Sequence, residues 1–319
     1  MMPEKPASSR ILLSVTGMYP RRWHDALSKA RTVVLEPDGE ADPTIEYAVV
    51  WKQKRGVLNG LPNLKLIFSA GAGVDHLLAD PELPAGVPIV RVVAENLTQH
   101  MVEYVCWRVL DHHRQGMTYR VQQVQKVWHE PLQPPANEVA VGIMGLGELG
   151  SAAARALLSL GFKVNGWSRR EKRVEGVSTF YGEAALTPFL NATDILVVLL
   201  PLTGATEGII DFSVLDRLRK DGPLGGPCLI NAGRGQLQKE ADILRALDQG
   251  VLKEASLDVF EQEPLDPKSP LWTHPKVFVT PHAAATSDPA HLVPLMLEQM
   301  DAFERGEPLK NLVDREAGY

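Results

Sequence analysis

An arginine, a glutamate and a histidine stand in three short polar segments, each just past an apolar run. The segments are Asn231-Ala232-Gly233-Arg234-Gly235, Asp258-Val259-Phe260-Glu261-Gln262-Glu263-Pro264 and Thr280-Pro281-His282. If they converge on one ligand, the guanidinium can bind a carboxylate, the imidazole can transfer a proton, and the glutamate can tune the imidazole. Taken singly, each has a blander explanation: a surface charge, a loop residue before Pro, a capped turn. Their common place at the ends of candidate strands argues against three coincidences, because an open parallel sheet binds ligands at its carboxyl edge.

A second constellation precedes them. Gly145-Leu146-Gly147-Glu148-Leu149-Gly150 follows an apolar run ending at Met144 and opens a helical pattern. In this G-x-G-x-x-G the first glycine permits a tight turn, the second lets the backbone approach a diphosphate, and the third lets helix and strand pack. The helix amino terminus supplies amide donors. A glycine-rich turn without a ligand is the alternative, and the flanking strand and helix weigh against it. About twenty residues further on, an NAD-binding fold usually carries an acid for the ribose 2′-hydroxyl. That place holds Trp167-Ser168-Arg169-Arg170, with Lys172 and Arg173 close behind. Guanidinium groups where a 2′-phosphate would lie favour NADP(H) over NAD(H); a solvated basic loop is the simpler alternative.

The elements that must position these residues alternate. Candidate strands are Ile11 to Val15, Thr32 to Leu35, Tyr47 to Trp51, Leu64 to Phe68 and Pro88 to Val92. From residue 139 come Val139 to Met144, Lys163 to Trp167, Ile195 to Leu200, Cys228 to Asn231, Ala255 to Val259 and Val277 to Thr280. Helical patterns fill the gaps: one from Thr98, a plausible N-cap, one from Glu148 to Leu160 on a stripe that includes Leu149, Ala153 and Leu160, and one from Pro289 to Phe303. Near-continuous apolar strands joined by helices imply parallel sheets covered on both faces, an α/β fold. The 319 residues allow about two domains of ~150 residues. With 33 basic against 39 acidic side chains, net −6, nothing calls for a nucleic-acid or anionic-membrane partner. Cys106 and Cys228 share no close spacing, and no apolar run near the amino terminus suits a signal peptide or span, so a cytoplasmic protein is expected. His112 and His113 sit together on the long helix, where surface or capping roles are favoured; the histidines lack metal-like spacing and no metal is expected.

On these motifs the chain resembles the D-2-hydroxyacid dehydrogenase family, and most its glyoxylate/hydroxypyruvate reductase A branch. Further matches are Ala70-Gly71-Ala72-Gly73-Val74-Asp75, Leu200-Pro201-Leu202-Thr203, Ser269-Pro270-Leu271-Trp272 and the closing Gly306-Glu307-Pro308 to Tyr319. The resemblance implies two Rossmann-like lobes with parallel sheets. The cofactor lobe, residues 101–284, is inserted into a discontinuous substrate lobe of residues 1–100 and 285–319, and the chemistry lies in the cleft between them. It also implies that the final helix packs on the first lobe.

The implied reaction is NADPH-dependent reduction of a small 2-oxo acid, glyoxylate to glycolate or hydroxypyruvate to D-glycerate. His282 would protonate the carbonyl oxygen as hydride arrives from nicotinamide C4, Glu263 would hydrogen-bond His282, and Arg234 would hold the substrate. Coenzyme contacts fall to Gly145, Leu146, Gly147, Glu148, Leu149, Gly150, Ser168, Arg169, Arg170, Leu200, Pro201, Thr206, Ala232, Gly233, Arg234, Asp258, His282 and Ala284. Substrate contacts fall to Trp51, Ala72, Gly73, Val74, Arg234 and His282. Without the family, the Gly71 turn could equally be a structural turn and Trp51 a core residue. The helix from Thr98 and the arm through Tyr119 to Trp128 resemble the family's dimer contact, which implies a homodimer; an ordinary interdomain helix is the alternative. Asn96 to Glu103 follows the commoner helix start only loosely, which argues against phosphoglycerate dehydrogenase, as does the expected lack of an appended regulatory domain beyond Tyr319. Glu263 argues against formate dehydrogenase. Reduction of another 2-oxo acid and a nucleotide-sensing role like that of the family's corepressors are the competing readings.

Overall fold

A computed structural model describes residues 9–35 and 42–319; residues 1–8 and 36–41, which the first-lobe assignment includes, lie outside the described set. The chain forms two compact units, Met1–Leu97 with Ser287–Tyr319, and Thr98–Thr286.

The first unit is built on five parallel strands, β1 (Arg10–Val15), β2 (Val33–Leu35), β3 (Ile45–Trp51), β4 (Leu66–Ser69) and β5 (Ile89–Arg91), in the order β2-β1-β3-β4-β5. Its central strands are apolar and buried along almost their whole length, as a sheet covered on both faces requires. The final helix is the one that the resemblance sets on the first lobe. The helix, Pro289–Glu304, packs in this unit against the helix Pro20–Leu27. It is fastened there by polar contacts: Tyr47 Oη donates to Glu304 at 3.1 Å, and Arg31 donates to Glu304 at 3.0 Å and to Asp301 at 2.6 Å. Its buried stripe is Leu292, Val293, Met296 and Met300, whereas Leu295 turns outward.

The second unit carries seven parallel strands: β6 (Ala140–Met144), β7 (Lys163–Ser168), β8 (Ser178–Tyr181), β9 (Ile195–Val198), β10 (Cys228–Asn231), β11 (Glu254–Leu257) and β12 (Val277–Val279). Their order is β12-β11-β10-β9-β6-β7-β8. The chain runs one way from β6 to β7 and β8 and the other way through β9 to β12, so a switch point lies between β6 and β9, where such sheets open a ligand crevice at their carboxyl ends. Alternation splits the core. Leu196 and Val198 join Phe189, Leu215 and Ile243 on one face, and Ile195 and Val197 join Val105, Val109 and Leu157 on the other.

Three local expectations change. Strand β8 has no apolar run to announce it; Ser-Thr-Phe-Tyr is a half-exposed edge strand. The long helix runs Glu95–His113, so Thr98 lies inside its first turns and is not the N-cap; an acid at position 95 suits the amino-terminal dipole. The helix Glu148–Ser159 buries Gly150, Ala153, Ala154 and Leu157, and Leu160 faces solvent, rotating the expected stripe toward Ala154.

The Glu304 anchor is pH-dependent. Burial pushes its carboxyl up, but hydrogen bonds from Arg31 and Tyr47 outweigh burial and hold it below the usual glutamate value. A lowered folded value stabilises at neutral pH and is lost as pH falls through it. Glu304→Gln should therefore flatten the loss of stability that the wild type shows below about pH 4. Denaturation midpoints measured from pH 7 to pH 3 test this, and parallel curves for the two proteins would refute it.

Candidate active site

Strand β6 ends on a turn that only glycine can build at two points. Gly145 has φ +107°, and a Cβ there would lie 2.7 Å from the Leu199 carbonyl oxygen. A Cβ on Gly150 would collide with the carbonyl oxygen of Gly145, so the helix can approach the strand only without one. By contrast, nothing lies near the position a Cβ would take on Gly147, which leaves that side of the turn open to a ligand. Together with the first-turn amides of Glu148–Ser159, this cradle fits the diphosphate of a dinucleotide.

At the end of β7, Arg169 and Arg170 are exposed. Ser168 Oγ donates to the Arg170 carbonyl at 2.7 Å, and Trp167 Nε1 donates to the Gly182 carbonyl at 2.9 Å, which fixes the backbone of this corner. The expected cluster of four cations is divided. Arg173 pairs with Glu171 at 3.2 Å, and Lys172 turns back to the Leu146 carbonyl at 2.7 Å.

Beyond β9, Leu200 is buried, and Thr206 Oγ1 donates to the Pro201 carbonyl at 2.7 Å while accepting from Thr203 N at 2.8 Å, so this side chain shapes its own loop. Beyond β10, Asn231 accepts from Gly233 N at 3.0 Å and donates to Gln238 at 2.8 Å, and Gln238 donates to the Val259 carbonyl at 3.0 Å. Gln238 was not anticipated: nothing in its sequence surroundings marks it as the strut between two strand ends. Ala232 is buried beside it, and Arg234 Nη1 donates to the Gly233 carbonyl at 2.8 Å.

A carboxylate–imidazole pair forms at the neighbouring strand ends. Glu263 Oε2 lies 2.8 Å from His282 Nδ1, and Glu263 Oε1 accepts from Phe260 N at 3.3 Å. With Nδ1 donating to the carboxylate, Nε2 is the nitrogen available to a substrate. His282 has φ +53°, an unfavourable backbone for a residue with a side chain. What holds it there is Asp258, which is 1% exposed. The Asp258 main-chain carbonyl accepts from His282 N at 2.7 Å. Its carboxylate accepts from Thr280 Oγ1 at 2.7 Å, Ala283 N at 2.8 Å and Ala284 N at 2.9 Å. Thr280 Oγ1 is also 2.8 Å from Tyr104 Oη. Because a carboxylate only accepts, the Thr280 proton points to Asp258, and Tyr104, its phenol pushed up by burial, donates to Thr280. Asp258 and Ala284, both expected among the coenzyme contacts, also fix the histidine loop.

In the first unit, the Trp51 ring lies against His76, with ring centroids 4.6 Å apart, and over Gly71, where a Cβ would run into the indole. Ser69 Oγ donates to the Gly73 carbonyl at 2.8 Å and accepts from Gly71 N at 3.4 Å, which curls Gly71 to Val74 into a tight loop at the end of β4. Ala72 and Gly73 are partly exposed there, and Val74 is buried. The candidate residues therefore gather at two sheet edges: Arg234, Glu263 and His282 past the adjacent strands β10, β11 and β12, and Trp51 with Ala72, Gly73 and Val74 past β3 and β4.

His112 and His113 are not at the surface; both are buried. His112 Nδ1 meets Glu254 and Nε2 meets Ser256, each at 2.8 Å, and Arg108 donates to the same Ser256 at 3.0 Å while stacking on Phe278 at 3.8 Å. The spacing of Arg108 and His112 along the stripe of Val105 and Val109 was the available signal. The donors of His112, Cys228 and Glu254 lie within 4.8 Å of one another. Both ring nitrogens already have partners and burial pushes the Cys228 thiol up, so the group is read as a packed polar core cluster.

Residues 106–284 match the family model for the D-isomer specific 2-hydroxyacid dehydrogenase, NAD binding domain. The chain is 40% identical over 305 residues to glyoxylate/hydroxypyruvate reductase A of Salmonella heidelberg strain SL476, spanning 93% of this chain and 96% of that protein. Among solved structures, the NADPH-dependent glyoxylate/hydroxypyruvate reductase of Sinorhizobium meliloti, in complex with NADP and sulfate, superposes with a TM-score of 0.93 at 45% identity, covering 98% of this chain and all of that one. A D-isomer specific 2-hydroxyacid dehydrogenase of Xanthobacter autotrophicus Py2, with NADPH and MES, gives 0.91 at 40% identity, covering 98% and 100%.

Asp258→Asn would set an amide donor against a backbone donor in a buried place. The expected loss of stability is about 1–3 kcal/mol, with a fall in turnover larger than the change in coenzyme binding. Thermal melting and steady-state kinetics measure both, and a variant as stable and active as the wild type would show that the carboxylate does not hold the loop.

Proposed function

Because the chain belongs to the D-isomer specific 2-hydroxyacid dehydrogenase family, we propose that it reduces small 2-oxo acids with NADPH, taking glyoxylate to glycolate and hydroxypyruvate to D-glycerate. The observation that carries the reading is the Glu263–His282 hydrogen bond, set at the same sheet edge as Arg234 and in the same unit as a glycine turn that fits a dinucleotide.

When bound, NADPH supplies the hydride that reaches the carbonyl carbon. Arg234 binds the carboxylate of the 2-oxo acid and polarises the neighbouring carbonyl, and His282 gives the proton on Nε2 to the carbonyl oxygen as negative charge develops there. Glu263, fixed on Nδ1, orients the ring. The coenzyme would be held by Gly145 to Gly150 at its diphosphate and by Ser168, Arg169 and Arg170 at its 2′-phosphate. Leu200, Pro201, Ala232 and Gly233 would line its path, and Thr206 and Ala284 would act through the loops they stabilise. In this reading Thr98–Thr286 is the coenzyme lobe and the other unit the substrate lobe. Amides of Ala72, Gly73 and Val74 would receive the carboxylate there, and Trp51 would limit substrate size.

A spectrophotometric panel of glyoxylate, hydroxypyruvate, pyruvate and phenylpyruvate against NADPH and NADH tests the activity, with the first two substrates and NADPH expected to be preferred. Replacing Arg169 and Arg170 by Ala should raise KM for NADPH at least about tenfold more than for NADH, since the lost contacts are charge-assisted. Equal effects on the two coenzymes would defeat the NADPH assignment.

The same reading includes a homodimer and a cytoplasmic location. The helix Gly116–Gln125 buries none of its residues, and Val124, Trp128 and Leu132 are exposed along this arm, an apolar surface of the kind a second copy covers. Among the described residues, no helix is long and apolar enough to cross a membrane, and Cys106 and Cys228 are free thiols, as a reducing compartment favours. Light scattering should give twice the chain mass, and Trp128→Asp should reduce it; a monomeric wild type would refute the dimer. Recovery of the protein in a membrane or secreted fraction would refute the location.

A further inference from the structure

We propose that Lys172 is a positioning residue for coenzyme discrimination, tying the basic loop after β7 to the glycine turn and so fixing the separation of the 2′-phosphate and diphosphate subsites. The proposal rests on the NADPH reading above. Lys172 Nζ donates to the Leu146 carbonyl at 2.7 Å, and the same oxygen accepts from Ser151 Oγ at 3.1 Å. Leu146 is an unyielding anchor. It is 1% exposed, and its side chain lies so close over Gly166 of β7 that a Cβ on Gly166 would come within 2.6 Å of Leu146 Cδ1.

The loop is held at its other end as well. Gly145 N donates to the Trp167 carbonyl at 2.9 Å, and Ser168 Oγ donates to the Arg170 carbonyl at 2.7 Å. Arg169 and Arg170 therefore sit on a short span closed onto the turn at both ends. Glu171, within that span, pairs outward with Arg173.

A 2′-phosphorylated dinucleotide is in effect a bivalent ligand. Its diphosphate engages the turn and its 2′-phosphate engages the loop, so the second contact is intramolecular and its strength depends on the distance between the two subsites. Loosening the loop should weaken a ligand that uses both subsites and spare one that uses either alone. A direct contact between Lys172 and the phosphate predicts a different pattern, because every ligand carrying a 2′-phosphate would suffer equally.

Calorimetric titration of the wild type and K172M with NADPH, NADH and adenosine 2′-phosphate separates the cases without relying on turnover. The Kd for NADPH should rise about fivefold, with those for NADH and adenosine 2′-phosphate held within about twofold. Equal weakening of NADPH and adenosine 2′-phosphate would overturn the proposal and make Lys172 a phosphate ligand. Unchanged NADPH binding, or equal weakening of NADPH and NADH, would also overturn it. Wild-type protein that binds NADPH no more tightly than NADH would instead defeat the coenzyme reading, and the proposal with it; that outcome is read from the wild type alone.

Discussion

The candidate site depends on one buried carboxylate. Removing a charged group from water is expensive unless hydrogen bonds replace its hydration, and Asp258 at the end of β11 is almost wholly enclosed. It finds compensation in Thr280, Ala283 and Ala284, all belonging to the loop that carries His282. The same contacts that make the charge tolerable therefore dictate the course of the histidine loop. A left-handed backbone at a non-glycine residue costs on the order of 1–3 kcal/mol, and His282 N adds its own bond to the Asp258 carbonyl to hold it. The ring is thereby aimed at Glu263 by main-chain geometry before any side chain chooses a rotamer.

Charge is distributed on the same principle, by local partner and not by total. A chain of net charge −6 still places Arg169 and Arg170 where an anion is expected. Yet proximity in sequence does not make four cations act together: Glu171 takes Arg173, and a backbone carbonyl takes Lys172. A short basic run reads as a single electrostatic feature in one dimension. In three dimensions two of its members turn to acceptors of their own.

What could be read from the sequence follows from which signals are local. Buried parallel strands announce themselves as apolar runs, so β3, β6, β9 and β10 fall close to their expected bounds, and the glycine turn is legible because its three glycines each answer a separate local demand. Strand β8 escapes because an edge strand needs pairing on one side only and can be polar. Thr98 misled because a good capping residue says nothing about whether the helix has already begun. His112 was misplaced because its partners Glu254 and Ser256 lie more than a hundred residues away in sequence. Asp258 is legible as a site residue but its grip on the histidine loop is not, since the donors to its carboxylate lie more than twenty residues further along the chain.

The spacing between the arginine and the glutamate shows how far backbone, not side chain, sets such a site. A Cβ on Gly235 would collide with the carbonyl of Phe260, so the loop after β10 and the loop after β11 are in direct main-chain contact at that point. Arg234 and Glu263 stand on either side of this contact, and Gln238 locks it by donating to the Val259 carbonyl. Any residue larger than glycine at 235 would drive the two loops apart and carry the guanidinium away from Glu263 and His282. The arrangement of the candidate site thus rests on a missing methyl group and a buried amide.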